Sequence, residues 1–344
     1  YNTEADYYLG YVYRMTGRTA EAEENLWAAT YTPAFKHPAY YQLAVAAANE
    51  GDFEKALRLD NESLLTGAHD LQALTFKAYL LRKLDRKQEA LEVIRAIKSI
   101  DPLDYWSEFE KSLIDNGDLS FLAWTRPRRS EGIIAVQELL EVVSNYLTVG
   151  DKEAALAVID EAIKVGSPFS EYPLVHLYRA YLTGDPADVA KASSLSPRNN
   201  FPLRVEEVEM LETLQRKYPN DSKIPYYLGN LLYYLGQKDR GLEEWHESVR
   251  LDPSFSLSCR NVGFGEGQKG NYDKALKEFE LATLYPANLE VPAPAGKKVT
   301  LESMIQEMQD ERDDDYAKFG EDDKAATRKR IEEYRKLLEI IKNR

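Results

Sequence analysis

The chain has 344 residues, with 44 Lys and Arg against 58 Asp and Glu, a formal net charge of −14. So acidic a balance gives no basic face for tracking phosphates or for lying on an anionic membrane, and no window approaches 18 uninterrupted apolar residues. Apolar residues at 44% and charged residues at 30% suit a folded soluble chain, and the single Cys259 excludes an internal disulfide framework or a multi-cysteine zinc site. A chain this long predicts two or three globular domains unless it is a repeat array. It begins with Tyr1 rather than Met and shows no signal peptide, so we expect a piece cut from a longer, cytoplasmic protein.

In chain order, residues 1–102 contain three similar units. Small residues recur at Gly10, Ala44 and Ala78, 34 apart, and again at Ala22, Ala56 and Ala90. Turn positions fall at Gly17, Gly51 and Asp85, and Pro102 closes the third unit. Residues 103–135 carry helical stretches without this grid and read as an irregular helical insert. Residues 136–219 hold degenerate units, with Gly150, Ala155 and Ala162 in turn and second-helix positions. Within them 171–195 read as a shortened helix pair and 203–217 as a second helix closed by Pro219. The grid returns over 220–286, from Gly229 to Gly263, Gly236 to Gly270 and Gly241 to Ala275, with Pro253 as a closer. The Pro- and Gly-rich stretch 287–298 reads as a loop, followed by capping helices near 300–312 and 322–342.

A 34-residue unit of helix, short turn and helix resembles the tetratricopeptide repeat (TPR). Two antiparallel helices cross so closely that only Gly, Ala or Ser fits at the contact. Leu9, Leu43 and Leu228 take the large position beside it, and Leu26, Ile94, Ile159, Trp245 and Phe279 the bulky position of the second helix. Each pair covers its apolar face only by stacking on its neighbours. The expected fold is all-α, a right-handed α-solenoid of about seven helix–turn–helix units with a C-terminal capping helix.

Several strings in fixed order resemble a narrower group: PAYYQLAVAAANEGDFEKAL, SIDPLDYWSEFE, NNFPLRVEEVEMLE, PNDSKIPYYLGNLLYYLG and RLDPSFSLSCRNVG. They are similar to the C-terminal repeat region of large bacterial proteins with an N-terminal galactose-mutarotase-like domain of unknown function. That resemblance implies a context of carbohydrate metabolism. Where the group has an aromatic, Ala-rich helix after its Arg-Asn pair, this chain has GFGEGQKG.

Little in the sequence points to catalysis or to a cofactor, and we expect no enzyme activity, no cofactor and no metal site in this segment. Gly265, Gly267 and Gly270 spell GxGxxG, but on a repeat helix rather than after a strand, so no dinucleotide site is expected. His37, His69, His176 and His246 fall in different repeats. The acidic run around Asp310, Asp313, Asp314 and Asp315 lacks the Gly and closing Glu of a calcium loop. No Ser/His/Asp grouping or phosphate loop is visible.

The surplus of Tyr, 23 against 11 Phe, has two readings: packing between repeats, or the lining of a groove. In a TPR array the first helices line the concave face. Counted from the small residue, the inward positions are Tyr7, Tyr11, Arg14, Tyr41, Tyr79 and Arg82 early in the chain. Tyr226, Asn230, Tyr233, Arg260 and Phe264 hold them late. Asn230 and Asn261 occupy the two Asn positions of the carboxylate clamp known in the TPR fold, but Tyr226 stands where the clamp needs Lys. The expected function is a non-catalytic scaffold whose Tyr/Arg face binds a peptide, a partner protein or another domain of the parent chain, with no nucleic acid and no membrane. The alternative is an accessory region of a carbohydrate-active enzyme that helps bind glycan or position a catalytic domain outside this segment.

Overall fold

The structure, a computed structural model, describes residues 3–117, 119 and 132–284. The expected loop at 287–298, the capping helices and the acidic run lie outside the described residues. Among the described residues the secondary structure is sixteen α-helices and one short 3-10 turn, with no strand. No described helix is long and apolar enough to cross a membrane.

The chain divides into two compact units, Tyr1–Gly184 and Asp185–Arg344. The first begins with three helix pairs: α1 (Thr3–Met15) with α2 (Thr19–Ala29), α3 (Pro33–Asn49) with α4 (Phe53–Leu64), and α5 (Leu71–Lys83) with α6 (Lys87–Ile100). The single helix α7 (Tyr105–Asn116) follows, then the pair α8 (Gly132–Thr148) and α9 (Lys152–Val165), then α10 (Pro173–Thr183). The second unit contains α11 (Pro186–Ser194), α12 (Glu206–Lys217) and two tight pairs. These are α13 (Lys223–Tyr234) with α14 (Lys238–Leu251), and α15 (Ser256–Gln268) with α16 (Tyr272–Leu284). Within each unit the antiparallel helix pairs follow one another in chain order, the architecture of an α-solenoid. The helices expected to pair over 171–195 both form, but the unit boundary falls between them.

The pairs form where the small residues allow them. Gly10, Ala44, Ala78, Ala22, Ala56 and Ala90 are all buried. A Cβ added at Gly229 would stand 2.8 Å from the Gly241 carbonyl oxygen, and one at Gly241 would stand 2.9 Å from that of Gly229. These two backbones therefore touch, and no side chain fits between them. Gly263 meets the Ala275 carbonyl in the same way at 3.1 Å.

The turn between paired helices is equally regular. Gly17, Gly51, Asp85, Gly150, Gly236 and Gly270 all have positive φ, between 58° and 84°. In each turn the N–H after this residue donates to the carbonyl five positions back, as from Asp52 to Ala47 and from Gln237 to Leu232. Glycine adopts this left-handed conformation freely, whereas Asp85 pays a steric cost. Aspartates then start several helices: Asp52, Asp70, Asp104 and Asp151 accept from the backbone N–H of Lys55, Ala73, Ser107 and Ala154 at 2.8–3.0 Å.

One expectation changes: Leu9 is 45% exposed, whereas Leu43 and Leu228 are buried. Within 103–135, α7 packs on α5, α6 and α8, with Trp106, Phe109 and Glu110 buried.

These geometries predict opposite effects for two glycine-related substitutions. Gly229→Ala forces apart two backbones in contact and should cost about 1–3 kcal/mol. Asp85→Gly relieves the left-handed strain and should stabilise by up to about 1 kcal/mol. Chemical denaturation of both variants checks this, and equal midpoints would remove the crossing argument.

Candidate functional site

In the first unit, two of the six expected anchors are buried and a third is held in an ion pair. Tyr7, Tyr11 and Arg14 on α1 are half-buried, Tyr7 stacked on Phe35 at 5.4 Å and the Arg14 guanidinium 5.6 Å above the Tyr11 ring. Tyr41, by contrast, is only 8% exposed and packs edge-on against Phe76 at 5.7 Å. Tyr79 is 1% exposed among Phe76, Phe53 and Tyr146. Burial raises both phenols above their usual range.

Arg82 is engaged too. Its Nε and Nη2 donate to the two Glu110 oxygens at 2.6 and 3.1 Å, and the Tyr146 hydroxyl donates to Glu110 Oε1 at 2.7 Å. Glu110 has no exposure. Burial alone would lower the Arg82 guanidinium, but Glu110 beside it holds it above its usual range. Nearby, Lys83 pairs with Asp151 at 3.1 Å and Asn49 Nδ2 donates to the Thr148 carbonyl at 3.2 Å. The chain's own α7 and α8 therefore cover the first-helix face of the third repeat. Tyr41 and Tyr79 are interior groups and the half-buried Arg82 is committed to Glu110, a correction to their expected role as anchors.

The second unit gathers four of its five expected residues. Tyr226 is the exception, 3% exposed and packed against Phe255 at 5.0 Å. Asn230, Tyr233, Arg260 and Phe264 are half-buried neighbours on α13 and α15. Asn230 Oδ1 accepts from Trp245 Nε1 at 3.0 Å and from Asn261 Nδ2 at 2.8 Å. Asn261 Oδ1 in turn accepts from Arg260 Nε and Nη2 at 3.2 and 3.0 Å. Tyr233 stacks on Trp245 at 4.8 Å and meets Phe264 edge-on at 6.0 Å. The result is a polar ladder across α14, α13 and α15 that ends in Arg260, beside an aromatic step. Arg260 has no carboxylate partner among the described residues. Asn230 and Asn261 are spent on each other, so the clamp arrangement is not formed.

The structure also brings together a grouping that the sequence hides. His37 Nδ1 lies 2.8 Å from Ser63 Oγ, and His37 Nε2 lies 3.3 Å from Asp70 Oδ2. Ser63 has no exposure and can donate to the His37 carbonyl at 3.0 Å, while a Cβ on Gly67 would lie 2.3 Å from the His37 ring. No substrate reaches such a serine, so the trio acts as a staple between α3 and the turn before α5. These residues, 26 and 33 positions from His37, offered no motif to find.

Other candidate chemistry resolves into structure. Gly265 and Gly267 lie within α15 and Gly270 in its closing turn, far from any strand–helix phosphate loop. Burial pushes the Cys259 thiol up to about 11. Among the described residues no group of three His, Cys, Asp or Glu could hold a metal ion. Asp60 is unusual: it has no exposure, and neither carboxyl oxygen has a hydrogen-bond partner. Burial, only partly offset by Lys77 and reinforced by Asp70, pushes its carboxyl well above the usual range.

No family model matches the chain. Several solved structures resemble it at low identity, and they are TPR proteins. A TPR protein from Parabacteroides merdae is 14% identical with a TM-score of 0.29, over 82% of this chain and 93% of that one. The TPR domain of P58(IPK) is 17% identical with a TM-score of 0.29, over 92% and 80%. The C-terminal part of a TPR repeat-containing protein from Cytophaga hutchinsonii is 14% identical with a TM-score of 0.31, over 73% and 97%. Likeness at this level carries no function across.

Two outcomes test the buried charges. Arg82→Met leaves Glu110 buried and unpaired and should cost about 3–5 kcal/mol, whereas Arg260→Ala should stay within about 0.5 kcal/mol of wild type. Thermal melts distinguish them, and equal effects would deny Arg82 its structural role. For Asp60 the folded state holds a proton that the unfolded chain releases near pH 4, so stability contributed by this group falls as pH rises above that value. Asp60→Asn should therefore gain on wild type as pH rises above about 4. A difference in melting temperature that does not change with pH would show that Asp60 does not titrate in this way.

Proposed function

We propose that the chain is a non-catalytic protein-interaction scaffold, and that the second unit binds a peptide or partner domain through Arg260, Phe264 and Tyr233. The observation that carries this reading is Arg260, a half-buried cation fixed by Asn261 and without a carboxylate among the described residues, next to an aromatic step. A guanidinium held in place loses little entropy on binding, and aromatic and Arg side chains supply most of the energy at small interfaces. The partner that fits presents a carboxylate or carbonyl to Arg260 and an apolar side chain to Phe264. Tyr7, Tyr11 and Arg14 form a second, smaller surface of the same kind on the first unit. The net charge of −14 disfavours nucleic acid as the partner.

Panning a phage-displayed library of random dodecapeptides on the full chain tests this. Selected peptides should pair an acidic group with an apolar residue. Arg260→Ala and Phe264→Ala should each weaken the best peptide by about 1–3 kcal/mol while shifting the melt little. Failure to enrich any sequence, or peptides indifferent to both substitutions, would remove the reading.

A further inference from the structure

Beyond the Arg260 surface, the first unit has an open cleft on its second-helix side, about 500 Å³ in volume, between α2, α3 and α4. Its apolar floor is Trp27, Tyr40 and Leu59, and Arg58, Asn61 and Glu62 stand on its rim. Trp27 is 42% exposed, while Trp106 and Trp245 are each 4% exposed. The Tyr40 ring meets it at 88° with centroids 5.8 Å apart, bracing the indole while leaving it open to the cleft.

The rim side chains are uncommitted. Arg58, Asn61 and Glu62 make no side-chain hydrogen bond or ion pair with another described residue, in a unit where most charged neighbours of the core are paired. The remaining cation, Lys55, is held by Glu23 at 2.7 Å. The cleft thus offers one cation, one anion and one amide, all planar, around a single aromatic platform.

That chemistry selects a ligand class. A charged ligand would meet its own sign on one side of the rim. A proline-rich peptide rests between parallel aromatic ridges, and two perpendicular rings provide one platform instead. A neutral sugar ring carries apolar C–H faces for the indole and edge hydroxyls that both donate and accept, matching Arg58, Asn61 and Glu62. We propose that this cleft is a binding site for a neutral oligosaccharide, stacked on Trp27 and hydrogen-bonded by the rim.

Affinity electrophoresis of the full chain tests it, in native gels containing amylopectin, mixed-linkage β-glucan, arabinoxylan, galactomannan or pectic galactan. The acidic protein migrates freely, so binding appears as retardation that grows with polysaccharide concentration. At least one gel should retard the wild type. Trp27→Ala should weaken the association constant at least tenfold, and the double variant Asn61→Ala/Glu62→Ala about as much. Arg260→Ala should be retarded like wild type, which keeps this outcome separate from that of the peptide surface. Asn61 and Glu62 are exposed, so circular dichroism melts of their double variant should be unchanged, and Trp27→Ala should remain folded at the temperature of the gels. The proposal is overturned if no gel retards the wild type or if Trp27→Ala is retarded equally. It is also overturned if a decaproline peptide, and none of the polysaccharides, binds in a Trp27-dependent way.

Discussion

The contact on which everything else rests is the crossing of paired helices at Gly or Ala. Where the Gly229 and Gly241 backbones meet, each carbonyl stands in the space that the other residue's Cβ would need. Dispersion and burial at such a contact depend on separation, and one methyl group is enough to open it. Because the crossing recurs every 34 residues, it sets the length of both helices, and so the position at which the chain must turn. The left-handed residues at Gly17, Gly51 and Asp85 recur on that interval. Bulky groups such as Leu26, Ile94 and Trp245 then fill the layers on either side.

This is why the array was legible in the sequence. Small residues at a crossing, a left-handed turn and a closing proline are local requirements, each met by few residue types. The site was less legible, for a physical reason. Repeat register says which side of a helix a residue faces, but not what the rest of the chain brings to that side. Tyr41, Tyr79 and Arg82 were placed on the first-helix face as the grid required. What the grid could not show was Glu110 on α7 and Tyr146 on α8, which close over the third repeat and claim Arg82. A cue was present in the sequence: Glu110 stands between Phe109 and the run Ser112–Ile114, where a charge needs a partner to be buried.

The charged groups near the core differ in how they are satisfied. Glu110 has Arg82 and Tyr146, and Glu266 has Asn271 and His246, which offset its burial and hold it below the usual range. Such networks fix one arrangement of helices, because a half-satisfied network costs more than an apolar one. Arg260 is of another kind. Its guanidinium is oriented by a neutral amide rather than neutralised by an acid, so its charge remains available to whatever approaches it. The ladder from Trp245 through Asn230 engages both the nitrogen and the oxygen of the Asn261 amide, and that oxygen sets the direction of Arg260.

A helix-pair array also has room for the two surfaces proposed above. The crossing consumes one stripe of each helix and the stacking of neighbours consumes two more, leaving one outward stripe per helix outside the crossing. On α15 that stripe carries Arg260 and Phe264, and on α2 and α4 it carries Trp27, Arg58, Asn61 and Glu62. Substitutions along such a stripe leave the crossing distance untouched. Where the chain uses such a stripe for itself, as α7 and α8 do over Tyr79 and Arg82, a tyrosine becomes core and an arginine is committed to an internal ion pair. Surplus tyrosine in this fold is therefore ambiguous by itself. What resolves it is whether a later helix reaches that stripe, a question of long-range packing rather than of composition.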